Sequence, residues 1–410
     1  MSKIRIKNFG PIKEGYLEND GWMDVKKVTV FIGNQGSGKS TVAKVISTLM
    51  WVEKALNRRE LDSNFSFHDF TSKFEYQNLE DYFYDNTCIE YVGDRYTIIY
   101  DAIKNQWPII KRDENVNYIV PKIMYVPAER NFLSVIKDAN GVRGLPEPLF
   151  EFAEELRKAQ EFIGAMGIQL PINNVSYKYD PGKELGMIYT NNYNINMLAA
   201  SSGFQSFVPL FLVSKNLSDL ISKVDNELNA DMVSVNQKLR VNRQIAEIML
   251  YTNLSDAEKI IEVEKVKSKY ISKAFINIVE EPEQNLFPTS QQKMLNSLIE
   301  FNNMNKGNKL IMTTHSPYLI NYLTLMVKAE AVKQLLNSDD SMNKLAKIVP
   351  LHSTVKADEL VIYELNEMDG TIKKLEDYKG LPSDDNYLNS GLEDSNELFA
   401  QLQELEKGWR

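Results

Sequence analysis

Hydrophobic and polar positions along the chain switch repeatedly between a two-residue period and a helical one. IRIKNF near the start and the apolar run VTVFIG, with its core at 29–33, read as strands, the second ending in a glycine turn. From Lys39 to Arg59 the spacing predicts a helix, with Val42, Val45, Ile46, Leu49, Val52 and Leu56 on one face. Residues 60–120 are mixed and aromatic-rich, with a strand-like YTIIYD at 96–101. KIMYV (122–126) is a short buried strand stopped by Pro127. Gly and Pro punctuate 138–150 as loop, FEFAEELRKAQEFIGAM (150–166) is a helix, and 175–190 reads as a hairpin turning at Pro181-Gly182. From Phe204 to about Lys273 the chain is helical and charged. FINIV (275–279) and KLIMTT (309–314) are buried strands. Helices follow Ser316, then a strand LVIYEL (360–365), an Asp369-Gly370 turn and a last helix around ELFAQLQELE. There is no internal repeat or low-complexity tract. Strands interleaved with helices throughout predict an α/β fold.

Composition narrows the setting more than the function. The 410 residues are 43% hydrophobic and 25% charged, as in soluble globular proteins. No apolar run approaches ~18 residues, and the charged start MSKIRIKNFG lacks a signal-peptide pattern, so a cytoplasmic protein without a membrane partner is expected. One cysteine, Cys88, excludes an internal disulfide and Cys/His metal clusters. The net charge of −9 argues against a surface that coats nucleic acid, while leaving room for a local basic groove formed on dimerisation.

The chemistry begins at Gly33-Asn34-Gln35-Gly36-Ser37-Gly38-Lys39-Ser40, which fits G-x-x-x-x-G-K-[ST] between an apolar strand and an amphipathic helix. Glycines let successive backbone N–H groups turn toward phosphates at the positive end of the helix that follows. Lys39 reaches the β- and γ-phosphates, the Ser40 hydroxyl ligates Mg²⁺, and Thr41 completes the loop's contacts. ATP and Mg²⁺ are therefore the expected ligands. Three features follow in order. Ser201-Ser202-Gly203-Phe204-Gln205 precedes the apolar helical run FVPLFL, a small hydroxyl-bearing helix entrance suited either to an anion or to simple capping. Glu280-Glu281-Pro282-Glu283 ends an apolar strand. Acids this close repel one another unless a cation or hydrogen bonds relieve them. Thr313-Thr314-His315-Ser316-Pro317 ends another strand and holds one of only three histidines.

In this order the four motifs resemble those of ABC-type ATPases. The resemblance implies an ABC-ATPase head with a mixed sheet, an antiparallel β subdomain and a helical insertion. It implies that Ser201, Ser202, Gly203 and Gln205 bind the nucleotide held by a second copy. Glu280 would hold Mg²⁺, Glu281 would orient the attacking water, and His315 would sense the γ-phosphate. Lys39, Glu281 and His315 are thus the expected catalytic residues. IRIKNFGPI, EEPEQNLFP (280–288) and TTHSPYLIN (313–321) resemble the OLD/RecF/SMC-like branch, and in particular stand-alone bacterial OLD-like members of phage-defence operons such as PARIS. What this implies is a homodimeric, slowly hydrolysing switch for a separate effector. The alternative is an ATPase of DNA repair or DNA maintenance in the manner of RecF or Rad50.

The chain departs from the wider ABC pattern in three places. Glu280 stands where most members have Asp, Phe204 replaces the signature's middle glycine, and Tyr125-Val-Pro-Ala-Glu129-Arg130 occupies the place of the Q-loop glutamine. OLD nucleases also append a Toprim domain. In the 95 residues after His315 its metal-binding pattern is missing, and Asp339-Asp340 and Asp384-Asp385 read as solvated turns. Cutting would need a separate partner, with a Toprim nuclease as candidate. The expected division is 1–213 and 273–410 as the two parts of the ATPase core, with 214–272 a charged helical insertion. That insertion reads either as a salt-laced helical hairpin or as a partner-docking lobe with Lys238, Arg240 and Arg243 as a basic spot.

Overall fold

The apolar runs at 29–33, 122–126, 275–279, 309–314 and 360–365 all enter one seven-stranded sheet. The computed structural model describes residues 2–62, 66–104, 109–111, 118–136, 141–223, 235–250 and 254–407. The sheet order is Gly15–Tyr16, Thr371–Lys374, Leu360–Leu365, Val28–Gly33, Lys309–Thr314, Ala274–Glu280 and Pro121–Val126. The five strands from Leu360–Leu365 to Pro121–Val126 are mutually parallel, and Thr371–Lys374 pairs antiparallel at one side, which makes the sheet mixed.

A parallel core is covered on both faces, which explains why these strands read as unbroken apolar runs. Alternation then divides them between two cores. Val28, Val30, Ile32, Met124, Val126, Leu310 and Met312 face one, while Phe31, Tyr125 and Ile311 face the other. The first core is closed by helices Glu147–Ile163, Ser202–Ser222, Pro288–Asn303 and Pro317–Lys333. The second is closed by helix Lys39–Asn57 and a five-stranded antiparallel sheet, ordered Met23–Val25, Ser2–Phe9, Phe83–Val92, Tyr96–Asp101 and Ile109–Lys111. All six apolar residues expected on one face of Lys39–Asn57 are buried.

Local chemistry explains the remaining elements. The hairpin pairs Ser176–Asp180 with Leu185–Tyr189 around Pro181-Gly182, as the alternation predicts. Two expectations are corrected. The loop assigned to 138–150 gives way to helix at Glu147, because Pro148 fits a first turn whose N–H groups have no intrahelical partner. Asp339-Asp340 is not a solvated turn but the first turn of helix Asp339–Ala346, where carboxylates favour the positive helix end and the Ser338 hydroxyl accepts from the Ser341 N–H.

Within the charged segment, helices Val235–Leu250 and Asp256–Ser268 pack through Val241, Val266 and Tyr270. Intrahelical pairs Arg243–Glu247, Lys265–Glu262 and Lys267–Glu264 lace their surfaces, and Lys238 and Arg240 are exposed. The helical reading of 224–234 and 251–253 falls outside the described residues. No described helix is long and apolar enough to cross a membrane.

Gly33 pairs with Leu365 across the sheet at φ 146°, and a Cβ there would lie 2.3 Å from the Leu365 carbonyl oxygen. Gly36 has φ 76° with open space around it. Denaturant titration is expected to show Gly33→Ala losing about 3 kcal/mol or more, from overpacking plus backbone strain. Gly36→Ala should lose about 1 kcal/mol, from strain alone. Equal losses would mean that the contact with Leu365 is not what requires glycine at 33.

Candidate functional site

The loop between strand Val28–Gly33 and helix Lys39–Asn57 winds through positive φ at Gly33, Gly36 and Gly38, the last serving as the helix N-cap. Asn34, Gln35, Gly36 and Ser40 are exposed, while Ser37, Gly38, Lys39 and Thr41 are buried. The Lys39 ammonium donates to the carbonyls of Gly33 at 2.9 Å and Asn34 at 2.7 Å. Burial lowers its pKa to about 8, against the upward pull of Glu281, Glu283, Glu367 and Glu280. The loop's mouth is braced from the edge hairpin: the Asn34 side-chain amide donates to Glu367 at 2.8 Å, a bond that holds the Glu367 carboxyl below its usual range.

Glu280 ends strand Ala274–Glu280, Glu281 and Glu283 follow it, and each meets a donor of its own, although the Glu283 Oε2 is buried without a partner among the described residues. Glu280 is buried and accepts from the Tyr125 hydroxyl at 2.5 Å and the Ala128 N–H at 3.2 Å. Glu283 accepts from the Thr314 hydroxyl at 2.8 Å and the His315 N–H at 2.7 Å, and burial pushes its carboxyl pKa up. Glu281 is half-buried and turned toward His315, with 3.5 Å between carboxylate oxygen and Nε2. That hydrogen bond lowers the Glu281 pKa despite desolvation, so the group is a carboxylate at neutral pH. Its backbone is left-handed, φ 45°, and its N–H donates to Thr313 at 2.9 Å across the neighbouring strand.

Arg130 joins this cluster to the helix that carries Ser202 and Gly203. Its guanidinium is fully buried and donates to the carbonyls of Glu280 at 2.7 Å, Glu281 at 2.6 Å, Pro127 at 3.3 Å and Ser206 at 3.4 Å. Burial lowers its pKa to about 10, so it stays cationic at neutral pH. Ser134 donates to the Gln205 carbonyl, and Asn285 donates to the Ser206 hydroxyl. A Cβ on Gly203 would lie 3.1 Å from the Asn285 carbonyl oxygen. Ser201 is the N-cap of helix Ser202–Ser222 and makes no side-chain capping bond; both Ser201 and Ser202 are exposed.

The fold is that of a P-loop ATPase. Residues 145–320 match the profile of the AAA ATPase domain family. The match takes in Ser201–Gln205, Glu280, Glu281 and His315, and begins after the P-loop. No curated protein matches the chain. Among solved structures, the SMC head domain from Thermotoga maritima aligns at 11% identity and TM-score 0.36, over 92% of this chain and 98% of that one. The SMC head from Pyrococcus furiosus with an extended coiled coil, bound to the C-terminal domain of ScpA, aligns at 10% and 0.37, over 98% and 100%. A dimeric ATP-binding cassette in a post-hydrolysis state, bound to ADP and phosphate, aligns at 13% and 0.29, over 92% and 100%.

The structure gathers Lys39, Glu280, Glu281 and His315 into one electrostatic neighbourhood. Among the described residues no hydrogen bond joins Ser201–Gln205 to residues 33–41. Gln205 differs from the expectation of a ligand-facing amide: its Nε2 donates to the carbonyls of Met197 at 3.2 Å and Leu198 at 3.4 Å, holding the helix entrance. Sequence reasoning assigned no role to Tyr125, Arg130, Glu283 or Glu367. The signal for the first two was present in Tyr125-Val-Pro-Ala-Glu129-Arg130, a charged pair directly after a buried strand.

Removing the guanidinium leaves its carbonyl acceptors buried and unpaired. Arg130→Ala is expected to lose about 3–5 kcal/mol in urea denaturation. A loss under about 1 kcal/mol would mean that water replaces the guanidinium and the hub is dispensable.

Proposed function

We propose that the chain is an ATP-hydrolysing switch in which two copies close on two ATP molecules. The observation that carries this reading is the Glu281–His315 pair, set at the ends of adjacent strands within electrostatic reach of Lys39. Lys39 leaves its loop carbonyls to bind the β- and γ-phosphates, and Ser202 and Gly203 of one copy complete the site of the other. Their exposed helix entrance, with its uncapped N–H groups, supports that role.

The donors present fit Mg²⁺. Ser40 offers an exposed hydroxyl, and each Glu280 oxygen accepts one hydrogen bond and keeps lone-pair capacity for a metal-bound water. The ion would neutralise charge between the phosphates. Glu281, held as a carboxylate, orients water and accepts its proton as the water oxygen bonds to the γ-phosphorus. The bond to the bridging oxygen breaks and leaves ADP and inorganic phosphate. His315 positions Glu281 and reports whether the γ-phosphate is present.

Coupling of dimer geometry to a separate effector, with a Toprim nuclease as the candidate, follows from the OLD-like wording of 280–288 and 313–321. The same resemblance supports a place in antiviral defence. The charged helical pair of 214–272 is the proposed docking lobe between the two parts of the ATPase core.

Mass in solution with ATP and Mg²⁺ tests the switch. Wild type is expected to dimerise with nucleotide, Lys39→Ala to remain monomeric, and Glu281→Gln to stay trapped as dimer. A mass indifferent to ATP and to both substitutions would sink the model.

A second test uses Lys39. Below its pKa of about 8 the ammonium is charged and ready for phosphate; above it, binding must first take up a proton. ATP affinity should therefore fall as pH rises past about 8, approaching tenfold per unit. Calorimetry in buffers of different ionisation enthalpy should show proton uptake growing from about zero near pH 7 toward about one near pH 9. Uptake that stays flat, or that persists in Lys39→Ala, would separate Lys39 from the phosphates.

A further inference from the structure

On the far side of the P-loop helix lies a cavity of about 680 Å³. It opens between the second half of Lys39–Asn57, the end of helix Phe67–Glu75, strand Pro121–Val126 and the start of Glu147–Ile163. Its volume falls in the range that encloses a small molecule.

Three features of the wall point to one kind of occupant. Gln77 is 1% exposed, yet among the described residues neither its Nε2 nor its Oε1 has a hydrogen-bond partner. A buried amide with both ends unmet is costly, and it presents a donor beside an acceptor. Trp51 and Phe150 line the same space and remain 44% and 37% exposed, so apolar ring faces are available there. Lys54 also lines it, and its ammonium makes no ion pair or hydrogen bond among the described residues.

Several neighbouring charges, by contrast, are taken. Lys122 pairs with Glu155 at 2.9 Å, Arg58 donates to the Lys269 carbonyl at 2.9 Å, and Glu151 accepts from the Tyr76 hydroxyl at 2.5 Å. Burial, with Arg58 and Lys122 close by, pushes the Lys54 pKa well down, a penalty that a bound anion would reverse.

We infer that this cavity is a second ligand site, distinct from the P-loop, for a nucleotide-class small molecule. Gln77 reads the donor–acceptor edge of its heterocycle, Trp51 stacks on the ring, and Lys54 meets the phosphate. The edge of a nucleobase matches a primary amide, and stacking on an aromatic face is tolerant of base identity. The site is also placed to regulate. Tyr125 forms part of its wall and gives its hydroxyl to Glu280, so an occupant that moves Tyr125 moves the carboxylate proposed to serve Mg²⁺. This regulatory half rests on the ATPase reading; the binding half does not.

The test uses the full chain carrying Lys39→Ala, which removes the P-loop's contribution, titrated calorimetrically with AMP, GMP, CMP and UMP. At least one is expected to bind saturably, and to weaken by about tenfold or more when Gln77→Leu, Lys54→Met or Trp51→Ala is added. Trp51→Ala guards against misfolding, because that ring is already half in solvent; circular dichroism checks all three. No binding up to about millimolar, or affinity unchanged in the three variants, overturns the site. For regulation, the nucleotide that binds should alter phosphate release from ATP by wild type and leave Gln77→Leu unaffected. An identical response in both overturns that half. A chain that releases no phosphate from ATP would strike the proposed function, while the Lys39→Ala titration would still decide the ligand site.

Discussion

The fully buried Arg130 guanidinium holds the candidate site together. Taking such a charge out of water is costly unless its donors are met, and here four backbone carbonyls meet them. These carbonyls belong to three separate pieces of chain: the turn after strand Pro121–Val126, the end of strand Ala274–Glu280, and the helix that starts at Ser202. Carbonyls, unlike carboxylates, leave the three glutamates free for other partners. Glu280 can then bond Tyr125, Glu281 can face His315, and Glu283 can take the Thr314 and His315 donors. Because the same guanidinium touches the carbonyls of Glu281 and Ser206, the acid pair cannot shift without pulling on the helix of Ser202 and Gly203.

The sheet provides the frame for that hub. Gly33, Val126, Glu280 and Thr314 are the last residues of four parallel strands, so the P-loop, the Tyr125–Arg130 turn, the acid cluster and His315 open on the same edge. Ligand crevices in parallel α/β sheets form outside the carboxyl ends of the strands. The strand ending in Thr314 lies between the P-loop strand and the acid strand, and this spacing sets His315 beside Glu281 while Lys39 answers to the same carboxylates. Strand Thr371–Lys374, second from the sheet's edge, contributes as well, since the turn before it carries Glu367, the brace on Asn34.

Much of this was legible from residue order alone. Strands with unbroken apolar runs announced a sheet covered on both faces, and their ends pointed to Lys39, Glu280, Glu281 and His315. The one-sided apolar spacing in Lys39–Asn57 fixed which face packs. What stayed hidden depended on contacts between residues far apart in the chain. Arg130 reaches three of its four carbonyls 76 to 151 positions away, and Glu367 meets Asn34 across 333. No local pattern encodes such bonds. The Gln205 bonds were hidden for the opposite reason: Met197 and Leu198 are so near that the amide closes on its own turn. Asp339-Asp340 misled because acidic pairs suit both a solvated turn and the first turn of a helix; the capping Ser338 decides between them.

Glu281 sits where backbone and side chain ask for different residues. At φ 45° the chain would be more comfortable as Gly or Asn, while the contact with His315 needs a carboxylate at the end of a longer arm. The fold tolerates the strain because the Glu281 N–H and carbonyl are both pinned, one to Thr313 and the other to Arg130. Stability and chemistry are therefore opposed at this position. A thermostability screen of random variants would enrich Asn or Gly at 281 and hand back a sturdier protein stripped of the carboxylate proposed to orient water. Any engineering campaign on this chain would need to score turnover alongside melting.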